Sequence, residues 1–414
     1  MQEFIIPSHL LAKIDAKHLQ QFMRNEGFDH SQTKEALIYR LIESINSEDD
    51  EAEKEQLISS YHNFLLKTIK HNNNRKIVTY PILTTQSSPY YSEKNILNKF
   101  DVPSIECLNF SRVISGEGLN KEKFTELFRH ITVEDGLVAL VEVCYGKINK
   151  EIRDDESEIT TYEYVWCEID PKEDVLRLIL STKRNEFTKN NNNKDRNKTQ
   201  KLIKDMLNRD YNIIFLNLTE KQTLFKMYKY LTAHLEAPYE QKVDPYSKEI
   251  EDFTNKIKAE LSISEKEDIG LSHRIEKLFE RNLIQKDFKS FRTKKVDDGR
   301  VQSVNYSDEV GGNVKATSGG SYFNGKSDQN LDLQDSRVYF DIKESIYNDK
   351  ELSSITVTWT NKSGFRDDRF DEIEVRYTCH RGFYITHFLK YGVREEIYNY
   401  VLPKFNEYKR KPLE

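Results

Sequence analysis

Apolar residues recur along this chain in two rhythms. Leu19, Phe22 and Met23, then Leu37, Ile38, Leu41, Ile42 and Ile45, fall at helical spacing and predict two short helices near the start. Leu57, Tyr61, Leu65 and Ile69 predict a third, ended by Asn72, Asn73 and Asn74. Residues 77–83 read as a strand, and Phe124, Leu127 and Phe128 as a short helix. Residues 137–145, 162–169 and 175–180 read as three strands of an antiparallel meander, with Pro171 in the turn before the third. Residues 213–218 read as a further strand. Thr219 and Gln222 look like a capping box for a helix with Leu224, Tyr228, Leu231 and Leu235 on its inner stripe. Pro238 and Pro245 bracket an expected linker. Ile250, Phe253, Ile257 and Leu261, then Ile275, Leu278 and Phe279, give two more helical stripes. Further on, residues 311–325 read as a small-residue loop. Residues 338–342, 355–359, 373–379 and 383–385 read as strands, and 393–408 as a last helix with Ile397, Val401 and Phe405 inward.

These elements predict an α+β multidomain chain. A helical module covers 1–47 and a helical linker 48–75. A mixed domain with the meander covers 76–240, and a helical segment 241–298. An antiparallel sheet closed by a helix fills 299–414. A chain of 414 residues is too long for one simple core. The net charge of −6 excludes a general polyanion coat, so a nucleic-acid surface must be a local patch on an acidic body. Cys107, Cys144, Cys167 and Cys379 show no paired spacing, so neither a zinc site nor a disulfide framework is expected, and reduced thiols fit a cytosolic protein. No signal peptide is expected at residues 1–11, and no apolar run reaches membrane-spanning length. Richness in Lys, Asn, Ile and Tyr points to an AT-rich bacterial genome or its mobile elements.

The stretch from Ile14 to Ile45 carries the clearest pointer to a partner. Asp15 is placed to cap the first helix, Gly27 to end it at positive φ, and Phe28 to fold back on it. Asp29, His30, Ser31 and Gln32 form a polar connection, and Thr33 caps the second helix. Leu19, Met23, Gly27, Phe28, Gln32-Thr33-Lys34 and Leu37-Ile38-Tyr39-Arg40-Leu41 keep the spacing of the SAP domain, and this stretch resembles that family. Gln32 departs from the family's usual Gly. The resemblance implies a helix, extended loop and helix that contacts duplex DNA through the start of the second helix, with Thr33, Lys34 and Arg40 at the contact. Local charge is balanced, with Lys13, Lys17, Arg24, Lys34 and Arg40 against Asp15, Glu26, Asp29, Glu35 and Glu43. A hairpin that docks on protein is therefore the competing reading.

A second nucleic-acid signal is Lys286, Phe288, Lys289, Phe291, Arg292, Lys294 and Lys295, where cations alternate with aromatics able to stack on bases. The two Phe at i and i+3 equally fit a buried helix stripe. Arg366, Arg369, Arg376 and Arg381 add a possible second patch, and the basic stretch from Lys183 to Lys204 reads as a polar surface loop or a phosphate-contacting arm.

Signals for catalysis are weaker. The stretch from Gly320 to Ser327 matches the phosphate-loop pattern by letter, but no buried strand leads in and no periodic helix leads out. Asp341-Ile342-Lys343 follows an apolar run, as at the metal-binding strand end of restriction-type nucleases. A solvated strand end explains it equally. Glu142 with Lys147, and Glu168 with Asp170 and Lys172, are similar pairings. Glu142 lies inside an apolar strand, where burial would raise its pKa unless a cation stood near. Cys379 and His380 are adjacent, so on a strand they point to opposite faces. No cofactor and no metal site is expected. The leading expectation is a non-catalytic protein on double-stranded DNA, with a subunit role in phage defence or mobile-element maintenance compatible with it. A metal-dependent nuclease using Asp341 and Lys343 and a protein-interaction scaffold are the alternatives.

Overall fold

The strand pattern sets the architecture. In residues 137–180 apolar runs are interrupted by charges such as Glu142, Glu168 and Arg177, and pairing sorts the strands' side chains onto two faces. The computed structural model describes residues 4–11, 13–72, 74–152, 158–181, 192–265, 267–268, 270–287, 298–307, 312–317, 333–335, 342–343, 345–347, 349–365, 371–390 and 393–413. It is mixed α and β, with extensive antiparallel sheet. The chain forms two compact units: Met1–Leu218 with Arg381–Asn399, and Thr219–His380 with Tyr400–Glu414.

The first unit begins with α1 (Ser8–Leu11), α2 (Ala16–Asn25), α3 (Lys34–Ser47) and α4 (Glu51–Lys70). The helical linker expected over 48–75 is the long helix α4, which buries Tyr61, Leu65 and Ile69 of the expected stripe. Then come β1 (Lys76–Pro81), α5 (Glu93–Phe100), β2 (Phe110–Ser111), β3 (Thr125–Glu134), β4 (Leu137–Ile152), β5 (Glu158–Asp170), β6 (Val175–Leu180) and α6 (Asn192–Tyr211). The expected meander is present as β4, β5 and β6. Within this unit the strand order is β2-β3-β4-β5-β6-β1, followed by a strand from late in the chain that pairs antiparallel with β1.

Two faces result. Val141, Val143 and Tyr145 of β4, Val165, Cys167 and Ile169 of β5, Leu176 and Leu178 of β6, and Val78 and Tyr80 of β1 form one buried face with Ile203, Leu207 and Tyr211 of α6. On the opposite face, cross-strand register aligns His130, Glu142, Glu168, Arg177, Thr79 and Tyr384 in one row.

Two expectations fail in this unit. Phe124, Leu127 and Phe128 do not open a helix. Leu127 and Phe128 lie in β3, where a bulge between Glu126 and Phe128 breaks the two-residue alternation and imitates helical spacing. Residues 213–218 make no strand beyond an isolated bridge from Phe215 to Ile82. Of the basic loop, residues from Asn192 onward are helical, and Lys204 lies over the Phe215 ring at 4.1 Å.

The second unit opens with α7 (Lys221–Val243), which runs straight through the expected linker at Pro238. Its cap is Glu220 rather than Thr219, and Leu224, Tyr228, Leu231 and Leu235 are buried as expected. Burial on both sides of Pro238, at Leu235, Glu236, Tyr239 and Val243, outweighs the one lost backbone bond. α8 (Ser247–Glu260) and α9 (Leu271–Lys286) follow. A four-stranded antiparallel sheet comprises β7 (Gly299–Ser307), β8 (Asn313–Thr317), β9 (Ser354–Thr360) and β10 (Glu372–His380), in the order β10-β9-β7-β8. β8 occupies part of what read as a loop. The strand β11 (Phe383–Phe388) returns to the first unit as the partner of β1, and α10 (Glu395–Lys409) starts there and continues in the second. In the second unit, Ile355, Val357 and Trp359 share a buried face with Ile373, Val375 and Tyr377, joined by Trp359 Nε1 donating to Tyr377 Oη at 3.1 Å. All four cysteines are free thiols: Cys107 is exposed, and Cys144, Cys167 and Cys379 are buried.

Gly146 of β4 gives Leu127 room to lie across the sheet. A Cβ there would overlap Leu127 Cδ1 and stand 2.9 Å from Leu119 Cδ2. Gly146→Ala is expected to cost about 1–3 kcal/mol, read as a fall in the urea midpoint. Adding Leu127→Ala, which clears the overlap, should make the second change less costly than Leu127→Ala is alone.

Candidate functional site

The N-terminal hairpin is built by local signals. Asp15 accepts from the Lys17 and His18 amides at 3.0 and 3.2 Å. α2 is closed off just past its end at Gly27, φ +80°, with the Gly27 amide on Arg24 O and the Phe28 amide on Met23 O. This double closure needs the positive φ that Gly adopts at little cost. Thr33 caps α3, its Oγ1 accepting from the Ala36 amide at 3.4 Å. Leu19, Phe22 and Met23 of α2 are buried, as are Leu37, Leu41 and Ile45 of α3. Phe22 stacks on Phe64 of α4 at 4.7 Å, and Ser60 donates to Glu26 at 2.6 Å.

The polar side of this hairpin is neither bare nor strongly basic. Thr33 and Glu35 are exposed at the start of α3. Lys34 is half-buried and donates to the Leu11 carbonyl at 2.6 Å. Arg40 pairs with Asp29 at 2.7 Å, and that bond, with those from Ser31, lowers the Asp29 pKa to about 2. Lys17 and Arg24 are exposed and seven residues apart, so they share one side of α2. On that side Gln20 donates to Gln32 O at 3.4 Å and Arg24 to His30 Nε2 at 3.2 Å, which places the stripe along the loop into α3.

The other expected contacts are dispersed. Lys286 is exposed in the last turn of α9, in the second unit. Lys289, Arg292, Lys294 and Lys295 lie outside the described residues, as do Phe288, Phe291, Gly320 to Ser327, Arg366 and Arg369. Arg376 is exposed on β10 and reaches Thr356 Oγ1 at 3.4 Å.

Asp341 also lies outside the described residues, and Lys343 is not placed as the strand-end reading expected. It sits in a helical segment, not at a strand end, and is buried. Its ammonium pairs with Glu236 of α7 and stands 3.5 Å from Glu280 of α9. Glu236 also accepts from Gln334 at 2.8 Å, and Glu280 pairs with Lys277 at 2.7 Å. Burial alone would lower the Lys343 pKa, but Glu236 and Glu280 raise it, so the side chain stays charged. Among the described residues, no group of three or more His, Cys, Asp or Glu is placed to hold a metal ion.

The most concentrated electrostatics lie on the charged row of the first unit. Lys70, from the last turn of α4, reaches Glu142 at 2.5 Å and Glu168 at 2.7 Å. Arg177 stands 3.4 Å from Glu168 and 3.1 Å from Asp170. Tyr398 of α10 donates to Glu168 at 2.8 Å, and His130 lies 3.8 Å from Glu142. Burial would raise the Glu168 pKa, yet Lys70 and Arg177 outweigh it and hold the carboxyl at about 2. The same carboxylates push Lys70 and Arg177 upward against burial. His71 is driven down to about 3, by burial first and by Lys70 second, and is neutral. With Glu168 ionised, Lys70 and Arg177 charged and His71 neutral, these four do not exchange protons near pH 7, where general acid–base groups are poised. They act as an electrostatic clamp joining α4, β4, β5, β6 and α10.

Glu168 and Asp170 share Arg177, but the lysines nearest these acids in sequence are not their partners. Lys147 lies over the Phe124 ring and Lys172 pairs with Glu134, whereas the actual partner of Glu142 and Glu168 is Lys70. Charges interrupting apolar strands were a signal for the row, but Lys70 read as an ordinary cation at a helix end. No described helix is long and apolar enough to cross a membrane. No protein-family model matches the chain, and no curated protein matches it.

Replacing Lys70 by Met should destabilise the first unit by about 3–5 kcal/mol, because two carboxylates lose their buried counter-charge. Trp166 fluorescence in a Trp359→Phe background reads this unit, since the chain has two Trp. Glu168 contributes stability that is complete above its unfolded pKa near 4.5 and is lost as pH falls toward about 2. The denaturant midpoint should therefore fall across that interval, and Glu168→Gln should flatten the dependence.

Proposed function

We propose that this chain is a DNA-associated, non-catalytic binding protein whose N-terminal hairpin engages the duplex backbone. One observation carries the reading. α2 and α3 are fixed by their apolar faces against each other and α4, while Lys17, Arg24 and the exposed Thr33 cap stand around the loop that enters α3. First-turn amides and the positive end of the helix dipole favour a phosphate at such a position. Lys17 and Arg24 supply the screening-sensitive part of the contact. Arg40, held by Asp29, and Lys34, held by Leu11, contribute less than their charge implies. The binding is therefore modest and backbone-directed.

A second reading is favoured by a different observation: Tyr39 stands 69% exposed on α3. A docking surface for another protein would use that ring, with little dependence on salt.

Fluorescence anisotropy with a short labelled duplex separates the two. Neutralising two phosphates gives a slope of log affinity against log salt of about −2. Lys17→Glu with Arg24→Glu should bring that slope near zero and weaken binding at low salt, while Tyr39→Ala should change it little. Absence of duplex binding, or a flat slope for the unaltered chain, would remove the DNA reading.

A further inference from the structure

The helices α8 and α9 break the rule that an apolar stripe faces inward. Phe253, Ile257 and Leu261, with Tyr246 just ahead of α8, lie at helical spacing yet are 38 to 67% exposed, as are Leu278 and Phe279 of α9. The polar side of the pair is what is fixed. Thr254 Oγ1 meets Ser272 Oγ at 2.5 Å, Lys258 pairs with Asp268 at 2.7 Å, and Lys277 of α9 pairs with Glu240 of α7. Ile250 and Ile284 take the buried positions. Ile250 starts the same stripe as Phe253, Ile257 and Leu261, so that stripe is covered at its first turn and keeps an apolar outer side beyond it.

We infer that this outer side is a dimer interface that takes a second copy of the same chain. Six large side chains at these exposures present on the order of 600 Å² of apolar surface. Summed over the two helices, that is most of the roughly 800 Å² per partner in a standard interface, and it reaches the upper end of the largest patch a monomer usually leaves open. The charges beside the stripe identify the occupant. Glu249 and Lys256 are exposed and seven residues apart, on the same side of α8 and nearly equidistant from Phe253. Two α8 helices crossing antiparallel about a two-fold axis at Phe253 bring each Glu249 to the other copy's Lys256, while the Phe253 rings meet at the centre. A two-fold contact must be self-complementary in this way.

Sedimentation velocity of the full chain across micromolar concentrations tests this. The expected result is reversible association from the 49.0 kDa chain to a species of twice that mass. Phe253→Glu should weaken association about tenfold or more. Its thermal midpoint as a monomer should stay unchanged, because Phe253 makes an outward contact. Glu249→Lys and Lys256→Glu should each weaken association several-fold by facing like charges, and the double exchange should restore it. A chain that stays at 49.0 kDa throughout, association indifferent to Phe253→Glu, or a double exchange no better than either single change would each overturn the proposal. DNA binding by the N-terminal hairpin is read separately, so neither result depends on the other.

Discussion

A carboxylate placed in the middle of a sheet face, out of water, sets the terms for the first unit. Leaving Glu168 desolvated and alone would cost several kcal/mol. Lys70, Arg177 and Tyr398 each approach it, from a helix, a strand and a late helix respectively. Apolar contacts tolerate sliding, whereas this junction does not. A one-residue slip of β5 would turn Glu168 into the apolar face and separate it from all three partners. The clamp therefore fixes register as well as attachment. Because α2 and α3 pack on α4, whose last turn supplies Lys70, the orientation of the N-terminal hairpin depends on the same junction.

The second unit meets the same constraint with other elements. Lys343 lies between Glu236 and Glu280, and the two carboxylates belong to helices that are distant in sequence. Each unit thus pins its helices with a lysine held between two acids, and each lysine keeps its charge because the carboxylates outweigh burial. This arrangement explains why a lysine that reads as a nuclease residue by its neighbours in sequence serves a packing role in the fold.

Much of this architecture was legible from local chemistry. Asp15, Gly27 and Thr33 mark the helix ends through hydrogen bonds confined to a few residues. The β4–β6 meander follows from short apolar runs separated by a polar turn at Pro171. What failed was non-local. β3 reads as helical because its bulge restores a three-residue spacing, and α7 passes Pro238 because tertiary burial on both sides exceeds the local penalty. The partner of Glu168 was invisible because Lys70 lies 98 positions away and carries no local mark. The outward stripe of α8 has the same pattern as a buried one, so periodicity correctly predicted the helix and could not say which side of it would meet water.

The distribution of sulfur has a practical corollary. Cys107 is the one solvent-facing thiol, while Cys144 and Cys167 lie inside the first unit and Cys379 inside the second. On neighbouring strands Cys144 and Cys167 belong to opposite faces, so they cannot oxidise to one another in the native sheet. An alkylating reagent meets a single site on the folded chain, and each later modification reports an opening event assignable to one half of the molecule. The natural sequence therefore already carries a surface attachment point for a spectroscopic label and an internal chemical reporter for each half.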